Sequence, residues 1–127
     1  MELNTSELKK YSRQLILKNI GISGQKKIFN SKILIIGAGG LGCPLLLYLA
    51  YSGAGNLGIV DNDKIEISNL SRQVLFTKND LGKFKATISK KFIRKINRKI
   101  IIKTYLKKIN KENIHSIAKN YDYICDG

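Results

Sequence analysis

The chain has 127 residues, 43% of them hydrophobic, and 23 basic against 9 acidic residues give it a net charge of +14. This length predicts one domain, residues 1–127, and excludes a nucleotide-binding domain joined to a separate substrate domain. The composition argues against disorder. The N-terminus shows no basic-then-apolar leader, and we expect no membrane partner. We expect a cytoplasmic location, or the plastid stroma if the chain is plastid-encoded.

The positive charge has two explanations, a biased composition or a polyanionic partner. The chain contains 19 lysines but only 4 arginines, together with 20 isoleucines and 11 asparagines, a combination that AT-rich codons favour. Few aromatic residues stand between the lysines to stack on bases. We therefore favour bias and expect no nucleic-acid partner. Arg94 and Arg98, one turn apart on a basic helix, are expected at the surface.

The N-terminal part predicts helices. Apolar residues recur at helical spacing over 5–19, and Asn4 or Thr5 is suited to cap that helix. Gly21 and Gly24 break the pattern, and a short second helix is expected over 25–30.

Strands and helices then alternate. The apolar run 32–36 predicts a strand buried on both faces, and a helix over 43–51 follows, stopped by Gly53. The remaining elements are a strand over 57–60, a helix over 82–97, a strand over 99–105, a helix over 111–119 and a strand over 121–125. This order predicts an α/β fold, a Rossmann-like doubly wound parallel sheet of which only the N-terminal portion is present, preceded by an N-terminal helical segment. On the 82–97 helix, one stripe is expected to face the core: Phe84, Ile88, Phe92 and Ile96.

The first strand and the first helix of the sheet are joined by Gly37-Ala38-Gly39-Gly40-Leu41-Gly42, which fits G-x-G-x-x-G. Glycines let the backbone turn tightly and approach a phosphate, and the helix start offers free N–H groups. The nucleotide-contacting candidates are Gly37, Gly39, Gly40 and Gly42. Asp61 ends the second strand, where a carboxylate can bind ribose hydroxyls, and Asp63 ranks below it.

The two cysteines, Cys43 and Cys125, are far apart and form no Cys-x-x-Cys pair. Their spacing predicts no zinc site. Both lie in apolar segments, so we expect two buried free thiols.

Further motifs stand around the glycine loop in a specific order. They are Tyr11-Ser12-Arg13-Gln14, Gly37 to Pro44, Ala54 to Gly58, Val60 to Asp63, Ser68-Asn69-Leu70-Ser71-Arg72-Gln73 and Gly82 to Ala86. Together they cover essentially the whole chain and resemble the ThiF/MoeB/HesA family, which includes the ubiquitin-activating enzymes. The chain is most similar to the N-terminal nucleotide-binding part of MoeB-type sulfur-carrier adenylyltransferases.

The resemblance implies an ATP- and Mg2+-dependent reaction in which the C-terminal Gly-Gly carboxylate of a ubiquitin-like sulfur carrier, of MoaD or ThiS type, attacks the α-phosphate. It serves molybdopterin or thiamin synthesis. By resemblance, Gly40 contacts the nucleotide, Asp61 holds the ribose and Lys85 reaches the phosphates. Arg13 enters the neighbouring subunit's site, which implies a homodimer, and Asp126 assists magnesium. The nucleotide-binding segment would be Ser68, Asn69, Leu70, Ser71 and Arg72, with Asn69 and Arg72 on the triphosphate.

The chain departs from the family pattern at its end. Family members continue for another hundred residues or more, with two zinc-binding Cys-x-x-Cys pairs. We therefore expect a domain truncated at its C-terminus, no thioester chemistry, and an exposed edge at the last strand.

Two other readings stay open. A nicotinamide or flavin dinucleotide-binding domain of an oxidoreductase would share the glycine loop and Asp61 but leave Arg13, Arg72 and Lys85 unexplained. A non-catalytic module for dimerisation or carrier docking is the second.

Overall fold

The computed structural model describes residues 2–127, which form a parallel four-stranded sheet. The strands are β1 (Lys32–Ile36), β2 (Asn56–Val60), β3 (Ile101–Tyr105) and β4 (Tyr123–Asp126), in the order β3-β2-β1-β4. Ile36 is in register with both Val60 and Asp126. All the strands therefore end at one edge of the sheet, as the predicted doubly wound fold requires.

Helices cover both faces of this sheet. They are α1 (Thr5–Lys10), α2 (Ser12–Leu15), α3 (Gly21–Asn30), α4 (Gly42–Ser52), α5 (Lys85–Ile96) and α6 (Ile114–Ala118). Buried side chains of α4 and α5 pack on Ile35 and Ile59 in the main core, while Ile117 of α6 packs on Leu34 and Val60 on the other face. Alternate residues of β1 and β2 point to opposite faces, which explains why these runs are apolar throughout.

The prediction of one helix over 5–19 is wrong. Tyr11 (φ −98°, ψ 11°) separates α1 from α2, and turns follow Leu15. The ring of Tyr11 is 5% exposed because it packs against the end of α4 at Gly53, and this docking overrides the helical pattern. The expected cap is confirmed, since Asn4 Oδ1 accepts from the Glu7 N–H at 2.9 Å and Glu7 Oε2 from the Asn4 N–H at 3.0 Å.

The predicted break at Gly24 is also wrong, because α3 runs through it from Gly21. A helical glycine costs about 1 kcal/mol, and α3 forms here nonetheless, with its buried Gln25 donating from Nε2 to the Ser52 carbonyl at 2.8 Å. The helix over 43–51 and the stop at Gly53 are confirmed to within one residue, and Gly53 has the left-handed φ of +94°.

Helix α5 begins at Lys85, three residues later than predicted. The Gly82 N–H donates to the Ile65 carbonyl, the Ile65 N–H donates to the Lys83 carbonyl, and the Lys85 N–H donates to the Asp63 carbonyl. This antiparallel pairing, together with the φ of +79° at Gly82, holds the segment extended. The most deeply buried residues of α5 are Ala86, Ser89 and Ile93. Of the predicted stripe, Ile88 lies in the core and Phe92 and Ile96 pack against it.

The last elements are shorter than predicted or shifted along the chain. Lys99 lies before β3, where its ammonium pairs with Glu7 at 2.9 Å. Strand β4 begins two residues late because Asp122 folds back, its Oδ2 accepting from the Lys32 N–H at 3.0 Å. Within the described sheet, β4 is an edge strand, as expected. None of the helices formed by residues 2–127 is long and apolar enough to cross a membrane.

Candidate nucleotide-binding site

The glycine loop leaves β1 at the point where the strand order reverses. The crossover from β1 leads to β2 on one side, while β4 lies on the other side. Crevices at the carboxyl ends of such strands are where open α/β sheets bind ligands. The Gly37 N–H donates to the Val60 carbonyl and the Gly127 N–H to the Ile36 carbonyl, both at 2.8 Å. The ends of three strands therefore fix the base of the loop.

The glycines of the loop differ in backbone conformation and in exposure. Gly37 has a φ of +94°, in the left-handed region that favours glycine. Gly42 is buried at the start of α4, where an added Cβ would collide with the Gly37 carbonyl oxygen. Gly40 is exposed, and Gly39 is half-buried. Gly37 and Gly42 thus shape the loop, while Gly39 and Gly40 present backbone to a ligand.

Asp61 ties the loop to β2. Its Oδ2 accepts from the Ala38 N–H at 2.8 Å, and its Oδ1 accepts from the Asp63 N–H at 2.8 Å. The sequence did not predict this fixing role. Each carboxylate oxygen has two acceptor sites, so both retain capacity for a ribose hydroxyl. Asp63, the lower-ranked candidate, is exposed.

Lys85 and Asn69 meet in one cavity of about 250 Å3, which is also lined by Asp63, Lys64 and Glu66. Lys85 is only 7% exposed. Among residues 2–127, the one ion pair joins Lys99 to Glu7, so the Lys85 ammonium makes no salt bridge, although the carboxylates of Asp63 and Glu66 line the same cavity. An ammonium that makes no salt bridge and lines an open cavity is available to bind an anionic ligand there.

Asn69 is held in the same cavity by its own backbone neighbours. Its Oδ1 accepts from the Glu66 N–H at 2.8 Å, and it is 9% exposed. The Asn69 carbonyl accepts from the Gln73 N–H at 2.8 Å, which tightens the turn. Because the carbonyl side of the amide is occupied, the NH2 is the end that a phosphate oxygen would meet.

Arg72 lies over the glycine loop. Its Cδ is 3.8 Å from the point where a Cβ on Gly40 would lie, and its Nη1 donates to the Ser68 carbonyl at 3.0 Å. Its side chain is exposed, so the rest of the guanidinium faces solvent above the loop. The structure thus brings Arg72 to the same side of the sheet edge as Gly40.

The other members of the predicted segment have local structural roles. Leu70 packs against the main core, and the Ser71 hydroxyl donates to the Ser68 carbonyl at 3.4 Å. The turn through this segment therefore presents Asn69 and Arg72, while Leu70 anchors it.

Gln73 closes the Ser68–Gln73 motif, and the sequence predicts no role for it. It is 3% exposed, its Nε2 is 3.7 Å from a Cβ built on Gly39, and its Oε1 has no partner among the described residues. A buried polar atom without a partner is unfavourable. The signal in the sequence was its place as the last polar residue before the apolar run 74–76.

The structure does not bring Arg13 to the site of its own chain. Its neighbour Gln14 donates to the Ser52 carbonyl at 3.1 Å, at the far end of α4 from the glycine loop. Helix α4 has 11 residues and is therefore about 16 Å long. Arg13 is exposed there, while Gln14 and Tyr11 dock the N-terminal helices.

Cys43 lies directly beneath the loop. Its thiol is fully buried and donates to the Ala38 carbonyl at 3.3 Å. Burial raises the pKa of Cys43 to about 11, so the thiol is protonated at neutral pH. Both cysteines are free, as expected. The expected burial is confirmed for Cys43 and is wrong for Cys125, which is only half-buried.

The residues fit a magnesium ion that is held mainly by a nucleotide. Residues 2–127 contain no group of three metal-binding side chains. Asp126, exposed at the end of β4 opposite Ile36, stands beside the loop as a single carboxylate. Mg2+ characteristically uses one or two carboxylates, phosphate oxygens and several waters.

The chain has close relatives and close structural neighbours. It is 48% identical over 121 residues to the "Adenylyltransferase and sulfurtransferase UBA4" of Scheffersomyces stipitis, a match covering 94% of this chain and 27% of that protein. The chain spans between 27% and 29% of the length of the first curated relatives. A crystal structure of PaaA superposes with a TM-score of 0.88 at 29% identity, over 98% of this chain and 41% of PaaA.

A more distant neighbour supports the fold alone. E. coli tRNA N6-threonylcarbamoyladenosine dehydratase, TcdA, in complex with ATP, superposes with a TM-score of 0.86 at 20% identity, over 100% of this chain and 52% of TcdA. The family model of the ThiF family matches residues 11–127, from the Tyr-Ser-Arg-Gln motif to the last residue. On the strength of that match, the chain belongs to the ThiF family.

Proposed function

We propose that this chain is a single ThiF-type ATP-binding domain, residues 1–127, that adenylylates the C-terminal Gly-Gly carboxylate of a ubiquitin-like sulfur carrier. Molybdopterin or thiamin biosynthesis is the proposed pathway. Membership of the ThiF family and the adenylyltransferase name of a 48% identical relative support the reaction. The activity belongs to relatives of which this chain spans less than a third, so it is proposed for this chain.

One observation carries the proposal. Lys85 makes no salt bridge and lines a cavity with Asn69, and Arg72 lies over the neighbouring glycine loop. A dinucleotide-binding loop needs no such set of cations, since a pyrophosphate is bound by backbone N–H groups. A triphosphate brings more negative charge, and fixed cations in a partly desolvated site bind it strongly.

The proposed reaction needs no proton transfer by the protein. A carboxylate oxygen of the carrier bonds to the α-phosphorus of ATP, and the bond from that phosphorus to the bridging α–β oxygen breaks. The products are an acyl-adenylate and pyrophosphate. Negative charge grows on the leaving pyrophosphate, where Arg72 and Lys85 would stabilise it. Asp61 would fix the ribose so that the α-phosphate faces the carrier.

Magnesium and a second subunit complete the proposal. When bound to the triphosphate, Mg2+ would neutralise part of the phosphate charge, with Asp126 as its protein carboxylate. Arg13 is on α2, beside the end of α4 that is remote from the glycine loop, and it therefore does not reach the loop of its own chain. We therefore include a homodimer in which Arg13 of each subunit reaches the neighbouring ATP.

ATP–pyrophosphate exchange tests this function. Full-length protein is incubated with ATP, labelled pyrophosphate and a carrier of MoaD or ThiS type, with a carrier lacking the last glycine as control. The proposal predicts label in ATP only with the intact carrier, and at least a tenfold loss of exchange in Lys85→Ala. Lys83→Ala removes an exposed lysine two residues away and should change little. Exchange that is equal with both carriers would contradict carrier adenylylation.

A further inference from the structure

Four cations form a surface that the proposed function does not use. Lys91, Arg94 and Lys95 lie on the last turns of α5 and Arg98 on the turn that follows, and all four are exposed. These residues, the basic patch, are the complete lining of an open cavity of about 690 Å3. The cavity wall therefore carries four positive charges and no apolar side chain.

No carboxylate offsets these charges along the segment. Residues 85–98 include no Asp or Glu. The one ion pair of the described chain uses Lys99, the next lysine, and Glu7. In the neighbouring cavity the carboxylate of Asp80 accepts from the Thr77 N–H at 2.8 Å and from the Thr77 hydroxyl at 3.1 Å. Four like charges around one hollow repel each other, so an anionic ligand would bind favourably.

Composition alone does not explain the patch. A codon bias toward lysine supplies Lys91 and Lys95, but two of the chain's four arginines are also here. The other two, Arg13 and Arg72, lie in family motifs. The guanidinium offers a planar fork that holds two phosphate oxygens at once, which an ammonium does not. The lysines are spread along the sequence, but these four cations stand at i, i+3, i+4 and i+7, so the helical repeat places them on one face.

We propose that the basic patch binds the phosphodiester backbone of a nucleic acid. An acidic protein is the alternative polyanion, but specific protein interfaces bury an apolar centre, and the apolar side chains nearby, Leu75, Ile88 and Phe92, line the neighbouring cavity and not this one. Nucleic-acid interfaces are more polar and more positively charged. Contacts to phosphates also need no aromatic side chains, so the scarcity of aromatic residues noted in the sequence does not oppose binding of this kind.

Fluorescence anisotropy with a labelled oligo-uridylate, measured over a series of salt concentrations, tests the proposal. Each phosphate contact contributes about 0.7 to the slope of log affinity against log salt for a single strand. The patch variant, Lys91→Ala/Arg94→Ala/Lys95→Ala/Arg98→Ala, should lower that slope by about 3. The matched control, Lys18→Ala/Lys27→Ala/Lys107→Ala/Lys108→Ala, removes the same charge from exposed positions elsewhere and should leave the slope nearly unchanged.

A second variant separates the arginine fork from simple charge. Arg94→Lys/Arg98→Lys keeps every charge, so the salt slope should stay the same. It removes the planar fork of each guanidinium, so binding should weaken several-fold. The variant also remains informative if the fourfold substitution impairs folding. ATP binding should be unchanged in all these variants, because the patch shares no residue with the nucleotide site.

Three outcomes would overturn the proposal. Equal losses in the patch variant and the matched control would mean that net charge, and not a site, causes the binding. Displacement of the oligonucleotide by polyglutamate with the same salt slope and affinity would assign the patch to acidic proteins. Absence of oligonucleotide binding at low salt would remove the basis of the proposal.

Discussion

The main-chain N–H of Ala38 donates to Oδ2 of Asp61 across 2.8 Å, which joins the glycine loop after β1 to the end of β2. The same carboxylate accepts from the Asp63 N–H through its other oxygen. One side chain therefore sets the shape of the loop and is also the proposed ribose ligand.

The Asp61 bonds predict a stability effect before any ligand is added. Asp61→Ala leaves the buried Ala38 N–H without a partner, so the free energy of unfolding should fall by roughly 1–3 kcal/mol. Urea unfolding followed by circular dichroism measures it. Asp63→Ala removes an exposed carboxylate and should cost less than about 0.5 kcal/mol. Equal losses in the two variants would show that the bond to Ala38 does not stabilise the loop.

Two glycines of the loop should respond differently to alanine. In Gly42→Ala the new methyl group meets the Gly37 carbonyl, and overpacking of this kind costs about 1–3 kcal/mol. In Gly40→Ala the methyl group meets only ordinary contacts with Arg72, so stability should hold while ATP affinity falls. Chemical denaturation and ATP titration of both variants measure the contrast. Loss of stability in Gly40→Ala alone would reverse the roles assigned to these glycines.

Gly53 should matter for docking of the N-terminal helices. Gly53→Ala places a residue at a φ of +94° and drives a methyl group toward Tyr11 and Gln25. Gly21→Ala also occupies a positive φ, +56°, but meets nothing within 4 Å. Backbone strain costs roughly 1–2 kcal/mol in each. Only Gly53→Ala should also expose residues 2–30 to limited proteolysis, and equal protection in both variants would contradict the docking role.

The Glu7–Lys99 pair predicts a pH dependence. The Asn4 N–H, and then the Lys99 ammonium 2.9 Å away, lower the pKa of Glu7 below 4.5. A lowered folded-state pKa adds stability that is present above the unfolded pKa and is lost as pH falls through the folded value. Wild type should therefore exceed Glu7→Gln in stability at neutral pH, and the difference should shrink below about pH 4.5. A constant difference across this range in thermal unfolding would contradict the assignment.

The alternation of strands and helices could be read from the sequence because buried parallel strands are short apolar runs and glycine marks their ends. Gly53 and the 32–36 strand were therefore well predicted. Element boundaries failed where tertiary contacts override local preference. Tyr11 interrupts the first helix to bury its ring, and the pairing of Asp63 with Lys85 delays the start of α5.

The site was predictable in its residues but not in its contacts. Spacing along the chain indicates that Asp61 follows the second strand, that Asn69 lies in the loop after it and that Lys85 lies near the start of the next helix. It does not say that Asp61 accepts from the Ala38 N–H, or that Gln73 is buried beside Gly39. Such contacts depend on how two loops fold over each other, and that is set by the whole sheet.

The most direct test of the account is whether ATP occupies the Lys85 cavity. Thermal unfolding of the full-length chain should be measured with Mg-ATP and separately with NAD, for wild type, Lys85→Ala and Lys83→Ala. At about 100 times its dissociation constant, ATP should stabilise wild type and Lys83→Ala by roughly 2.7 kcal/mol. Lys85→Ala should lose that gain, and NAD should add none. Stabilisation by NAD alone, or an ATP effect that survives in full in Lys85→Ala, would contradict the account.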